Sequence, residues 1–421
     1  MGRTAKNRST PHLPPVKRIE LSAAHTRLRA ALALLLLAVG LGAFGYALTT
    51  LLTPETGWIE IEANPSAELN CAEDFVFLYP LGATGASPTV EKKALATLYT
   101  QATVTAHQLF TNDADYDGLR NVRFLNRHPN EELAVDPALY NAFAQIAASG
   151  DRSLYLAPIF STYDGIFYCA DDALTADFDP RQSDELRAWF LDLCSYANDP
   201  AQVNLDLLGE NRVRLSVSDD YLAYAEAEGI ESFIDFYWMK NAFIADYLAD
   251  ALILGGYRIG TLSSFDGFSR NLDAGSSTSY SLNIYDRVGQ NIYPAATMRY
   301  SGARSIVSLR NYPANGRDAL RFYSFANGEI RNPYLDARDG LCRSALNDLT
   351  AYSADKSCAE ILLELIPIYI ADEFDPVSLD ALAASGIRTI YCEDRTIHHT
   401  EPNLELTDLY SDDAIQYKRA P

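Results

Sequence analysis

The stretch 234–252 reads IDFYWMKNAFIADYLADAL, and how it folds decides how the rest of the chain is interpreted. Its dense apolar residues, closed by a pair of glycines, predict one helix. Asp235 and Asp246 lie eleven residues apart, almost three helical turns, so a continuous helix carries both on one face. The first N–H groups of such a helix can bind an anion. The alternative is a helix that only packs, because Tyr237 and Trp238 stand where a close ligand would favour glycine.

Charge is distributed very unevenly along the 421 residues. Residues 1–54 carry seven Lys/Arg and one acid, a formal charge of +6, whereas the whole chain carries −22, so residues 55–421 carry −28. A body this acidic repels phosphate backbones, and nucleic acid is therefore excluded as a partner. With 48% hydrophobic residues the body can still build a sizeable core.

The basic N-terminus leads into an uncharged apolar stretch at 30–52. At 1.5 Å per residue, about twenty residues cross a hydrocarbon core of roughly 30 Å. The sequence therefore predicts a basic cytoplasmic tail at 1–29, a transmembrane helix at 30–52 and a body outside the cell membrane. A cleaved signal peptide is the alternative, although no convincing cleavage site follows the apolar stretch.

The remaining residues predict one α+β body, with a linker at 53–70, a large domain at 71–405 and an acidic C-terminal tail at 406–421. Asp136-Pro137 and Gly150 mark the two ends of a helix, and Ser183 starts another. Strand-like segments with many turns fill 257–334. Helices and strands that mix in this way are typical of mixed sheets with packed helices.

The six cysteines (Cys71, Cys169, Cys194, Cys342, Cys358 and Cys392) all lie in the body. An even number outside the membrane permits disulfides, and buried free thiols are the alternative. The DADYDG stretch at 113–118 reproduces the first half of an EF-hand calcium loop, but Phe124 stands where the last ligand belongs. An acidic, solvated turn is the simpler interpretation.

A second stretch, NPYLDARDGLCRS at 332–344, groups an acid, a base and a glycine. Asp336, Arg338 and Gly340 can form a turn in which the arginine binds a carboxylate or a phosphate. The pattern is common, and a purely structural Asp–Arg turn explains it equally well.

The order of these stretches resembles the FAD:protein FMN transferase family, the ApbE-like flavin transferases, over roughly residues 74–403. IDFYWMKNAFIAD lies where that family has Asp-Leu-Gly-Gly-Ile-Ala-Lys-Gly and a further Asp. NPYLDARDG is similar to His-x-x-x-Asp-Pro-Arg-Thr-Gly, and VSLRNY to a strand end with Asp-Tyr. SCAEILLELI lies at the family's metal-binding helix. The resemblance implies FAD and magnesium as cofactors, and a partner flavoprotein whose Thr or Ser hydroxyl accepts FMN.

The resemblance also implies roles for individual residues, which are expected to converge around one hollow. The expected catalytic residues are Asp336, Arg338 and Lys240. The expected cofactor-binding residues are Asp235, Asn241, Asp246, Asn311, Tyr312 and Gly340. The expected metal ligands are Glu360 and Glu364.

Several departures from the family fall on the chemistry. Tyr237 and Trp238 replace two glycines, Asn241 replaces the lysine, and Asn332 replaces the histidine. Transition-state stabilisation is lost steeply when such groups are removed. The sequence therefore favours a membrane-anchored ApbE-like protein that binds a flavin or a protein partner without transfer. An active FAD:protein FMN transferase is the alternative.

Overall fold

The computed structural model describes residues 31–32, 34–42, 57–67, 69–273, 278–314 and 316–420. The chain divides into two compact units, residues 1–54 and 55–421. In the first unit, residues 31–32 and 34–42 are helical and exposed. The predicted transmembrane helix at 30–52 falls largely outside the described residues. Among those described, no helix has both the length and the apolar character that crossing a membrane requires.

The second unit contains the helices that carry most of the predicted features. They are α1 (Pro88–Phe110), α2 (Val122–Arg127), α3 (Pro137–Ser149), α4 (Ala157–Tyr163), α5 (Asp184–Asn198), α6 (Asp219–Glu228), α7 (Lys240–Leu254), α8 (Cys358–Tyr369) and α9 (Ser378–Ala384).

The strands of the second unit alternate with these helices along the chain. They are β1 (Gly57–Glu60), β2 (Phe75–Leu81), β3 (Glu132–Ala134), β4 (Val203–Gly209), β5 (Arg212–Val217), β6 (Thr261–Ser264), β7 (Phe268–Asn271), β8 (Ser279–Val288), β9 (Asn291–Ser301), β10 (Arg304–Arg310), β11 (Tyr323–Ser324), β12 (Ile330–Arg331), β13 (Asp348–Ser353), β14 (Arg388–Glu393), β15 (Thr396–His399), β16 (Glu405–Thr407) and β17 (Lys418–Arg419).

A nine-stranded sheet forms the centre of the unit, in the order β1-β2-β6-β7-β10-β13-β14-β15-β17. Its neighbouring strands pair antiparallel, except that β15 and β17 pair parallel. Helices α7 and α8 pack on β6, β7, β10 and β13, and their buried side chains belong to the main hydrophobic core. A smaller sheet, in the order β16-β9-β8, shares a second core with β10, β13, β14 and β15. The sheet therefore lies between layers that bury both of its faces.

Local sequence signals account for several helix ends. Asp136 accepts the Ala138 N–H, and Gly150 ends α3 with φ +74, as the sequence predicts. Ser183 accepts the Leu186 N–H at the start of α5. At α8, Ser357 and Glu360 form a reciprocal capping box.

The predicted boundaries of the body are wrong at both ends. Part of the expected linker at 53–70 forms β1, which pairs with β2. The expected tail at 406–421 is packed as far as it is described: Tyr417 is buried, and its hydroxyl donates to Asp286 at 2.8 Å. Apolar side chains such as Ile415, which is also buried, supply the burial that a solvated acidic tail lacks.

Candidate functional site

The chain segment before α7 is bent rather than helical. The Asp235 carboxylate accepts the Tyr237 N–H at 2.8 Å, and Tyr237 has φ +44, a conformation that L-residues seldom adopt. A short 3-10 turn, Tyr237–Met239, follows, and α7 begins at Lys240. Asp235 therefore lies outside the helix, and the prediction that it shares a helical face with Asp246 is wrong.

The two aromatic residues at this bend are packed differently. Tyr237 is half-buried, stacks on Phe160 with ring centroids 4.5 Å apart, and donates its hydroxyl to Asp164 at 2.9 Å. Trp238 is 1% exposed and meets Tyr334 edge-on at 5.0 Å. Tyr237 thus lines the surface, while Trp238 fills the interior beneath it.

Lys240 and Asn241 open α7. Asn241 is buried and donates to Asp266 at 3.0 Å, and Asp266 also pairs with Arg321. The Asn241 Oδ1 atom is buried without a partner in the described structure. Burial raises the pKa of Asp74, which the nearby Lys240 ammonium opposes. The start of α7 is thus a mixed cluster of charges.

Asp246, further along α7, serves the start of another helix. Its two carboxylate oxygens accept the N–H groups of Cys358 and Ala359, each at 2.9 Å. It also pairs with Arg270. The carboxylate therefore satisfies two of the free N–H groups that open α8, and its contacts are those of a structural residue.

Asn311 and Tyr312, expected to bind the cofactor, lie after β10. Asn311 donates to Ser344 at 3.0 Å. Tyr312 is 1% exposed and donates its hydroxyl to Asp348 at 3.3 Å. Burial raises the pKa of Asp348 to about 7, although nearby Arg310 opposes the shift. Tyr312 is thus part of a buried polar network.

The 332–344 stretch forms a turn held by charges. Asp336 is buried and accepts the Nε and Nη2 atoms of Arg338 at 2.9 and 2.6 Å. Arg343 adds a contact to Asp336 at 3.0 Å. Gly340 has φ +71, and a Cβ there would lie 2.9 Å from a Phe190 carbon, so glycine is required. The structural Asp–Arg interpretation accounts for all three residues.

The predicted metal ligands have other partners. Glu360 accepts the Ser357 N–H in the capping box at 2.8 Å. Glu364 binds Lys356 at 2.5 Å and Ser385 at 2.9 Å. No cluster of three His, Cys, Asp or Glu side chains that could hold a metal ion is found in the described ranges. The residues that the structure describes therefore do not fit a magnesium ion, and no step is derived through one.

The calcium and disulfide questions have structural answers. In the 113–118 turn, Asp113 contacts Thr111 at 3.1 Å, whereas Asp115 pairs with Arg127. These carboxylates belong to no three-ligand cluster, in agreement with a solvated turn. All six cysteines are free thiols, and all except the partly buried Cys169 are buried.

The predicted site residues do not share one hollow. Asp235 lines a hollow of about 650 Å³, Asp246 a second of about 390 Å³, and Asp336 a third of about 610 Å³. Asn311 lines a fourth. The expectation that these residues converge is wrong, because each is held by a local cap, turn or ion pair.

The hollow beside Asp235, here termed the acidic hollow, is the feature that sequence reasoning missed. Five carboxylates line it: Asp113, Asp164, Glu228, Glu231 and Asp235. Tyr237 and Trp189 also line it, together with one arginine, Arg123. These residues come from widely separated segments, so no local motif indicates the hollow. The five acids and the bulky Tyr237 were visible only as separate features of the sequence.

Together, the sheet, its helices and this surface define a mixed α/β domain with an ApbE-like fold. No protein-family model matches the chain, and no curated protein matches its sequence. Among solved structures, the chain is similar to the ApbE protein of Thermotoga maritima, with 12% identity, a TM-score of 0.54, and coverage of 84% of this chain and 97% of that one. It is also similar to the flavin transferase ApbE of Vibrio cholerae, with 11% identity, a TM-score of 0.53, and coverage of 82% and 97%. A mutant of the Vibrio enzyme matches at 13% identity and a TM-score of 0.52, over 82% and 96%.

Proposed function

We propose that this protein is an ApbE-like scaffold that acts by binding and does not transfer FMN. The observation that carries the proposal is Trp238. Its indole is 1% exposed and packs against Tyr334, where the resembling family has a small residue beside its ligand. A large side chain buried in the core cannot move aside for a nucleotide without leaving a cavity.

The charges at the resembling positions support the same proposal. Asp336 is neutralised by Arg338 and Arg343, and Asp246 by Arg270 and two N–H groups. Neither carboxylate is left to hold a metal ion. When such groups are already satisfied within the protein, they contribute little that appears only in a transition state.

The acidic body and the basic, apolar N-terminus support a location at the cell membrane, with the N-terminus in the cytoplasm and the body outside. In this proposal the protein binds a flavin or a partner protein, such as a flavoprotein, at that surface.

Transfer activity and flavin binding can be tested together. The full-length chain, in mild detergent, is incubated with FAD, magnesium and a flavodoxin-like acceptor domain. Covalent FMN is then followed by in-gel fluorescence, with the Vibrio cholerae flavin transferase as the positive control. We expect no fluorescent acceptor band, and a band would overturn the proposal. A rise in Tm with FAD alone would identify the bound ligand as a flavin.

One observation favours the alternative, an active transferase. Lys240 forms no hydrogen bond or ion pair within the described part of the body, and it lies beside the Asn241–Asp266–Arg321 cluster at the start of α7. A free ammonium there can hold a phosphate group. If the chain is active, Lys240→Ala should abolish the fluorescent band.

A further inference from the structure

The acidic hollow differs from the rest of the surface in charge and in wall composition. It has a volume of about 650 Å³, within the range of small-ligand sites. Five carboxylates face one guanidinium, that of Arg123, and Arg123 is already paired with Glu231 at 2.9 Å. The hollow thus has a formal charge of −4, and it attracts a cation and repels a pyrophosphate.

The remaining carboxylates have no cationic partner among the described side chains. Asp164 accepts the Tyr237 hydroxyl, and Asp235 accepts an amide of Asn112 at 3.1 Å. Glu228 accepts no hydrogen bond that the described residues provide. Carboxylates held close together by neutral donors keep an unbalanced negative charge, which a ligand's cation can neutralise.

Two aromatic side chains give the hollow a second, independent character. The Tyr237 ring is fixed by its stack on Phe160 and by its bond to Asp164. Trp189 also lines the hollow, and its Nε1 atom is buried without a hydrogen-bond partner in the part of the chain that the structure describes. A buried indole N–H calls for an acceptor, which is a demand that acidic residues cannot create.

We propose that the acidic hollow binds an arginine side chain presented with a neighbouring carbonyl group, as in a peptide. The planar guanidinium meets both the carboxylates and the aromatic wall, because it forms forked hydrogen bonds and stacks on rings. The carbonyl accepts the orphan N–H of Trp189. A simple polyamine satisfies the charge but lacks the plane and the acceptor. This role does not depend on whether transfer is lost.

The proposal can be tested by calorimetry on the full-length chain in mild detergent. N-acetyl-arginine amide is the probe, and N-acetyl-citrulline amide, of the same shape without the charge, is its matched control. We expect the arginine probe to bind at least roughly tenfold more tightly than the citrulline probe, because the neutral ureido group leaves the charge of the hollow unbalanced. Equal binding of the two, or no binding of the arginine probe, would overturn the proposal. So would spermidine binding as tightly as the arginine probe.

Two variants locate the site. Glu228→Gln should weaken the arginine probe about threefold, the effect of one partly solvated ion pair. Glu226→Gln, an equal charge change on an exposed position of the same helix outside the hollow, should leave binding unchanged. If the two variants behave alike, the binding is a nonspecific response to net charge.

A third variant separates the indole from the charge. Trp189→Phe keeps an aromatic wall and removes the N–H donor. It should weaken N-acetyl-arginine amide about fivefold, the effect of one hydrogen bond, and leave ethylguanidine, which has no carbonyl, unaffected. Equal losses for both probes would contradict the carbonyl contact.

Discussion

The bend before α7 and the turn at 336–343 both occupy positions that resemble a flavin transferase, but different forces hold them. At the bend, Trp238 is buried among aromatic side chains. At the turn, charged groups near the surface hold one another, and the Arg338 side chain is 64% exposed. Apolar burial is large and independent of salt, whereas exposed ion pairs are weak. The fold can therefore give up the turn's charges far more readily than the packing at the bend.

Trp238→Ala should produce the largest loss. Removing a fully buried indole leaves a cavity that its neighbours fill only partly, and we expect a cost of about 4 kcal/mol. Chemical denaturation of the purified full-length chain measures it. Trp58, which is 47% exposed, provides the matched control, and Trp58→Ala should cost less than about 1 kcal/mol. Equal losses would contradict the packing role assigned to the bend.

Asp246→Ala should produce the second largest loss. It removes the cap of α8 and leaves Arg270, whose side chain is 18% exposed, without its partner. We expect a loss of about 3 kcal/mol. Asp250→Ala, one turn further along α7, serves as the control because Asp250 is exposed. If the two substitutions cost the same, Asp246 has another role, and binding assays with FAD become the next measurement.

The sequence could predict what depends on neighbouring residues. Asp136, Pro137 and Gly150 bound α3 because caps and left-handed glycines act within one turn. The bend at Tyr237 could not be predicted, because its φ of +44 is held by contacts with residues far along the chain. Asp246 likewise caps a helix more than a hundred residues later in sequence. Acid-to-helix pairings of this kind carry no local signal.

The same limit explains why the candidate site was misjudged. Position in sequence matched Asp235, Asp246 and Asp336 to a family pattern, but each carboxylate is bound by a donor in its own neighbourhood. The acidic hollow was missed for the opposite reason: its members share no spacing at all. Which acids meet in space is decided by the tertiary fold.

Asp348→Asn should change how stability depends on pH. Burial raises the pKa of Asp348 from 3.8 to about 7, so the folded state retains a proton that the unfolded state has lost. Its stabilising contribution is complete below about pH 4 and is lost as the pH rises to about 7. Arg310, which also pairs with Asp318 at 3.1 Å, offsets part of this loss.

The measurement is the free energy of unfolding of both chains at several pH values between 5 and 8. We expect the difference to shift in favour of the Asp348→Asn variant by about 1–2 kcal/mol as the pH rises, against at most roughly 4 kcal/mol for the full shift. A difference that stays constant over this range would show that the carboxylate is already ionised at pH 5.

Arg338→Ala should have the smallest effect and tests the other half of the comparison. Asp336 keeps the Arg343 guanidinium at 3.0 Å and the backbone N–H of residue 338 at 2.8 Å, so the buried carboxylate stays neutralised. We expect a loss below about 1 kcal/mol, further reduced in high salt. Arg343→Ala should cost more, because the Arg343 side chain is 16% exposed and also bridges Asp339 and Asp372. If Arg338→Ala matched Trp238→Ala instead, the turn would be as central to folding as the bend, and the distinction between packing and surface charge would fail.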